Sequence, residues 1–278
     1  MRREGDVKFS ANTVAALVVL TAAACAVSPT GRKQLTLLPE SQMVVMGVQS
    51  FHQIQDQTPR EKDPAINAYV QCVADAIIRL PEVRKQSADW QVVVFDEDAA
   101  NAFALPGGKI GVYRGLLAVA QTPSQLAAVI GHEVGHVLAR HGNERVSQQF
   151  AVGEVLAVLD AWMAAGNTSN RESAMALLGL GSQVGVLLPF SRVQESEADT
   201  IGQDLMARAG FDPRESVTLW QNMGRAGGAQ PPEFLSTHPA HKTRIHDLQG
   251  GLDRVLPLYQ QAQAAGVRPN CQPPAVRR

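Results

Sequence analysis

The segment from Thr122 to Gly142 constrains this chain more than any other. Thr122-Pro123-Ser124-Gln125 offers a hydroxyl N-cap, a proline at the first helical position and a glutamine three residues past the cap, which together mark a helix start. Leu126, Val129, Ile130, Val134, Val137 and Leu138 recur at helical spacing, predicting an amphipathic helix that stops at Gly142 as its C′ glycine. His132-Glu133-Val134-Gly135-His136 occupies the middle of that helix. Four residues advance a helix by about 400°, so the two imidazoles lie about 40° apart on one face, one turn from each other. Both ring nitrogens can then reach one ion at roughly 2.0–2.1 Å. Glu133 falls about 60° from His136 and borders that ion without competing for it, where a base that activates water belongs. Gly135 costs the helix about 1 kcal/mol relative to Ala, a cost that makes sense where something must pack close. Two hydrogen-bonded helix histidines and a surface Glu would satisfy the same spacing; the capped helical context favours the metal.

A catalytic zinc site takes three protein ligands and keeps one position open, so a third donor must come from another element. Ser191 to Ala209 is predicted as a helix ending at Gly210, and it carries Glu195-Ser196-Glu197-Ala198-Asp199. Glu195 and Asp199 stand one turn apart on one face. Glu195 can supply a carboxylate oxygen, and Asp199 can accept the spare N–H of a ligating histidine. Glu197 lies about 200° from Glu195 and is expected in solvent. On spacing alone, three surface charges remain the alternative.

Elsewhere the chain reads as helices around a small sheet. Helices are expected at Ser41 to Gln55, from the Asp63-Pro64 cap to Leu80, at Arg145 to Ala165, at Arg171 to Leu188, after Asp212-Pro213 and from Lys242. The Arg171–Leu188 segment is strongly apolar, but Glu172, Ser182 and Gln183 interrupt it, so it reads as a buried helix rather than a membrane span. Trp90 to Phe95 and Lys109 to Tyr113 read as strands, with a turn at Pro106-Gly107-Gly108 between them. His141, nine positions past His132, falls about 180° around the helix, so it is expected to complement the helix end with Arg140 rather than approach the ion. His52, His241 and His246 are expected on surfaces or helix faces.

The N-terminus combines Arg2, Arg3 and Lys8 with an apolar stretch from Val14 to Ala24, the pattern of an export signal. Ala22-Ala23-Ala24-Cys25 resembles a bacterial lipoprotein lipobox, with Ala22 where that pattern usually has Leu; the resemblance implies lipid on Cys25. An ordinary signal peptide or an uncleaved anchor is the alternative. With Cys25 set aside, Cys72 and Cys271 form an even pair that could close a disulfide in an oxidising compartment or remain two thiols. The expected organisation is a signal peptide at 1–24, a lipid-anchored tether at 25–40, a catalytic domain at 41–265 and a flexible tail at 266–278.

Four blocks in order resemble the M48 family of zinc metallopeptidases: Asn101-Ala102-Phe103-Ala104-Leu105-Pro106-Gly107-Gly108, His132-Glu133-Val134-Gly135-His136, Glu195-Ser196-Glu197-Ala198-Asp199, and Ser236-Thr237-His238-Pro239 with Arg244. The resemblance covers about Leu35 to Leu248. It implies an α+β, mainly helical, zincin-type metallopeptidase domain with a small β-sheet packed on the helix that carries His132 and His136. It further implies one zinc ion per chain on His132, His136 and Glu195, with Glu133 as general base and Asp199 behind a histidine ligand. Asn101, Ala102, Phe103 and Ala104 would be the strand against which extended substrate lies, a mode that relies on main-chain hydrogen bonds. His238 would gate the open position or stabilise the developing oxyanion, with Arg244 assisting by its charge.

The net charge of -1 and an aromatic content of 5% argue against nucleic acid as a partner. The expected function is a zinc endopeptidase acting on unfolded or unassembled envelope proteins. Its expected place is the periplasm of a Gram-negative bacterium, held to the outer membrane by the N-terminal lipid. A zinc-bearing lipoprotein with a chaperone or assembly role and latent proteolysis is one alternative. A metal-dependent hydrolase of something other than peptide is another, which the Asn101–Gly108 block disfavours.

Overall fold

A computed structural model describes residues 25–150, 190–226, 234–239 and 243–274. The expected signal peptide, the expected Arg171–Leu188 helix and His241 lie outside the described residues, as does the Arg145–Ala165 helix beyond residue 150. A short antiparallel hairpin opens the fold, with β1 (Cys25–Val27) paired to β2 (Lys33–Leu35). Helices α1 (Glu40–Gln57), α2 (Pro64–Ile78) and α3 (Pro81–Arg84) follow. Asp63 caps α2 as its sequence implies, its carboxylate accepting the Ala65 N–H at 2.8 Å. Strands β3 (Gln91–Phe95), β4 (Ala102–Leu105) and β5 (Lys109–Tyr113) form one sheet in the order β3-β5-β4. β3 runs parallel to β5 and β4 antiparallel to it, so β4 is an edge strand.

Phe103 of β4 sits opposite Gly111 of β5, and a Cβ added at Gly111 would lie 2.3 Å from the Phe103 ring. The ring therefore covers the glycine and joins Phe51, Phe95 and Tyr113 in an aromatic cluster on one side of the sheet. Ala102 points the other way and is buried in the main core.

The main core forms around α4 (Pro123–Leu138). Thr122 caps it, accepting the Gln125 N–H at 3.1 Å. Every residue from Gln125 to Val137 is buried. The expected amphipathic helix is thus enclosed on all sides, by α2, β4, α5 (Arg192–Arg208) and α6 (Glu215–Ala226). The short α7 (Phe234–Thr237) and the long α8 (Arg244–Ala264) complete the fold. A helix in that position cannot hide polar side chains in solvent, so its His132, Glu133 and His136 must find partners inside. Among the described residues no helix is long and apolar enough to cross a membrane.

Three expectations change. The helix does not run to Gly142: it ends at Leu138, Arg140 takes the left-handed conformation at φ 55°, and a new helical stretch covers residues 141–150. Left-handed backbone is uncommon for a residue with a side chain, so Gly142 drew the boundary two residues too far. The expected tether at 25–40 is no loose linker, because its hairpin is clamped onto the body of the protein by Arg32. Of the expected flexible tail at 266–278, the part up to residue 274 is described and is tied down at Cys271, which is buried and bonded to Cys72 of α2, with Cα atoms 5.6 Å apart.

The bridge spans a sequence separation of 199 residues, so it removes much freedom from the unfolded chain. Cys271→Ser should lower unfolding stability by about 2–4 kcal/mol, measured by denaturant titration of the oxidised protein. The wild-type chain should lose the same amount on reduction, and the variant nothing.

Candidate metal centre

Two helices make the centre by coming unusually close. A Cβ at Gly131 would meet the Gly202 carbonyl oxygen at 2.9 Å, one at Gly135 the Ala198 carbonyl oxygen at 2.9 Å, and one at Gly202 the His132 nitrogen at 2.8 Å. These contacts are backbone on backbone, so no side chain can move aside. They account for the glycine inside the His-Glu-Val-Gly-His motif and for the small residues on α5. Ser191 starts α5 with a full capping box, its hydroxyl accepting the Gln194 N–H while the Gln194 side chain accepts the Ser191 N–H. Glu195, one turn in, then faces the motif helix.

One ring nitrogen each from His132, His136 and His238 and a carboxylate oxygen of Glu195 lie within 4.8 Å of one another, all buried. His132 Nε2 is 3.0 Å from His136 Nε2 and 3.2 Å from His238 Nδ1. Glu195 Oε1 is 3.4 Å from His136 Nε2, and Glu195 Oε2 is 3.5 Å from His132 Nε2. Neutral imidazoles and an ionised carboxylate are all electron-pair donors, and donors crowd together this tightly around a cation. Histidine nitrogen with one carboxylate oxygen suits zinc. Glu133 borders the cluster with its Oε1 buried and without a hydrogen-bond partner, 3.4 Å from His238 Nε2. An orphaned buried oxygen at that place fits a base awaiting a water.

Charge in the site follows from burial and from these contacts. Burial lowers the His136 pKa well below its ordinary value despite the opposing Glu195, leaving the ring neutral with a free lone pair. Burial also opposes charge on His132, but Asp199 and Glu195 outweigh it and raise that pKa to about 9, so a metal must displace a proton there. For Glu195, burial works against ionisation, yet the three histidines hold the carboxyl well below the usual carboxylate range. Burial raises the Glu133 carboxyl, the direction that makes it a better base.

A model of peptidase family M48 matches residues 64–251. This chain belongs to peptidase family M48. Its relatives include the mitochondrial metalloendopeptidase OMA1 of Arabidopsis thaliana, 38% identical over 181 residues that cover 64% of this chain and 35% of the relative. OMA1 of Bos taurus is 31% identical over 267 residues, covering 89% and 48%. The beta-barrel assembly-enhancing protease of Escherichia coli K12 is 27% identical over 231 residues, covering 80% and 46%. The chain thus spans about half the length, or less, of these relatives.

Around the M48 centre the structure brings together His132, Glu133, His136, Glu195, Asp199, His238 and Arg244. Asp199 Oδ1 lies 2.9 Å from His132 Nδ1, on the side of the ring away from the cluster. Phe234 stacks on His238 with centroids 4.3 Å apart, and Phe190 stacks on His136 at 4.0 Å. Arg244, expected to assist by its charge, is buried behind the carboxylates. Its Nη1 donates to Glu195 Oε2 and its Nη2 to Asp199 Oδ1, both at 2.7 Å, and the guanidinium lies 3.5 Å over the Trp220 ring. Both terminal nitrogens of Arg244 are thus occupied by the two carboxylates.

Glu197 and His141 are corrected. Glu197, expected in solvent, is buried; His141 stays outside the clustered donors as expected, but instead of serving the helix end it puts its Nδ1 2.8 Å from His136 Nδ1. The helix break at Arg140 invalidates the angle counted from His132. Of the block proposed for substrate, Ala102, Phe103 and Ala104 form the edge strand β4, preceded by Asn101. The Ala104 backbone N–H hydrogen-bonds to Glu133, which sets this edge beside the centre, while the Phe103 side chain turns away into the aromatic cluster.

Gly202→Ala should force α4 and α5 apart, costing about 1–3 kcal/mol in unfolding stability and reducing the metal retained after dialysis. Unchanged stability and metal content in that variant would contradict the role given to the crossing.

Proposed function

We propose that this chain is a zinc-dependent endopeptidase, with His132, His136 and Glu195 holding one ion and Glu133 as general base. The observation that carries the reading is the buried convergence of those donors beside the orphaned oxygen of Glu133. When bound, zinc supplies Lewis acidity to water and to a substrate carbonyl. Glu133 takes the proton of the attacking water and passes it to the leaving nitrogen as the C–N bond breaks. Asp199 fixes the His132 ring, and Arg244 orients Glu195 and Asp199 together. The outer edge of β4, where the Ala104 N–H now bonds to Glu133, would receive an extended polypeptide by strand addition, which suits unfolded chains of varied sequence. A cavity of about 80 Å³ between Leu105, Val137 and Phe190 lies next to His136 and would take one substrate side chain.

His238 would add a fourth protein donor, and four protein donors would close the position that a catalytic zinc site keeps open. We therefore assign His238 as a gate that must leave for substrate. The same observation favours a second reading, an envelope lipoprotein with a chaperone or assembly role whose proteolysis stays latent. In the first reading the domain at 41–265 acts on unfolded or unassembled envelope proteins. Lipid on Cys25 would tether it at the outer membrane of a Gram-negative periplasm. The basic, apolar and small-residue order before Cys25 supports that location, as does likeness to a protease named for β-barrel assembly. The OMA1 relatives carry a mitochondrial name, so location does not follow from family.

Glu133→Gln should retain one zinc per chain by metal analysis while cleavage of casein or an unfolded outer-membrane protein falls at least about 100-fold. Cleavage at the parental rate would sink the general-base assignment. His238→Ala should raise turnover of the same substrates; lower turnover would assign His238 to the oxyanion instead of the gate, and identical turnover would remove it from the mechanism.

A further inference from the structure

The hairpin next to Cys25 reaches the metal centre through four side chains. Arg32 lies between the β-strands of the hairpin and crosses to two helices. Its Nη1 and Nη2 fork onto Glu144 at 2.7 Å each, and its Nε donates to Glu197 Oε2 at 2.7 Å. The Thr30 hydroxyl donates to the other Glu197 oxygen. Glu197 Oε2 is in turn 3.1 Å from His141 Nε2, and His141 Nδ1 is 2.8 Å from His136 Nδ1. His141 and Glu197 are buried, and Glu144 is also held by Gln194 of α5 at 2.8 Å.

We propose that Arg32, Glu197 and His141 form a directional relay that sets the tautomer of His136 for metal binding; the inference rests on the zinc reading above. An ionised carboxylate pinned by a guanidinium and a hydroxyl can only accept a hydrogen bond. His141 must therefore carry its hydrogen on Nε2 and present a lone pair at Nδ1. That lone pair accepts the Nδ1 hydrogen of His136, which leaves the His136 Nε2 lone pair aimed at the cluster. His132 reaches the same state by a shorter route, directly through Asp199. The two histidine ligands are thus oriented from opposite ends of the chain, His132 by the C-terminal Arg244 and His136 by the N-terminal Arg32. Arg32, Glu197 and His141 are positioning residues, since none of them is among the clustered donors.

Glu197→Gln is the decisive change, because an amide can donate to His141 Nε2 and allow the reversed hydrogen-bond direction. The reversed direction points a hydrogen from His141 at His136 and leaves the His136 Nε2 protonated, unable to bind metal. Zinc affinity of the full chain, measured by chelator competition, should fall about 10–100-fold in Glu197→Gln. Arg32→Gln and Thr30→Val, on the partly exposed hairpin, should weaken zinc in the same direction and supply the readout if Glu197→Gln does not fold. Melting of each protein in excess chelator separates lost folding from lost affinity. Long-range nitrogen–proton NMR spectra of the zinc-loaded wild type should show His141 protonated at Nε2. Wild-type affinity in all folded variants, or His141 protonated at Nδ1, would overturn the relay. A wild-type chain that fails to bind zinc would overturn the metal reading itself, a result distinguishable from both.

Discussion

The structure depends on one close approach. Where α4 and α5 cross, backbone touches backbone at Gly131, Gly135, Ala198 and Gly202. A methyl group at any of the three glycines would hold the helices apart. With ordinary side chains at the crossing, Glu195 would stand further from His132 and His136, and no rotamer could make up the difference without strain. The glycines weaken each helix locally by about 1 kcal/mol apiece. Burial of both helices in one core offsets that loss, and the crossing in turn fixes the distance between imidazoles and carboxylate.

Such a centre is costly to bury. Three histidines, two carboxylates and a guanidinium lie inside a fold whose other interior groups are mostly aliphatic. Apart from the orphaned oxygen of Glu133, these groups are matched by partners of opposite sign or stacked rings, so the cluster stands as a network and not as isolated ion pairs. Trp220 under Arg244 and Phe234 under His238 do two things at once: they exclude water and they fix planes. The remaining described aromatic cluster, Phe51, Phe95, Phe103 and Tyr113, lies apart on the sheet.

How much of this could be read from sequence depended on the range of the interaction. Helix caps at Asp63 and Thr122 are local and legible, because the capping atoms sit within three residues of the groups they satisfy. The pairing of His132 with His136, and of Glu195 with Asp199, is legible from helical spacing alone. The roles of Glu197, His141 and Arg32 were not. Glu197 bonds to Thr30 and Arg32, more than 160 positions away, in the turn of a short hairpin with no periodicity to announce it. His141 was lost to a single backbone torsion at Arg140, a residue type that gives no warning of left-handed geometry. The same limit applied to Arg244, whose charge was visible but whose direction only packing decides.

The family match begins at residue 64 and ends at 251, yet what steadies the centre extends beyond it on both sides. A recombinant fragment trimmed to those limits would discard the guanidinium that neutralises Glu144 and Glu197, and would leave the thiol of Cys72 without its mate. Such a piece would keep every metal-facing side chain and still begin life with two uncompensated interior carboxylates. Boundaries drawn by likeness mark what relatives share; the outlying ends mark what this particular molecule needs to stay assembled.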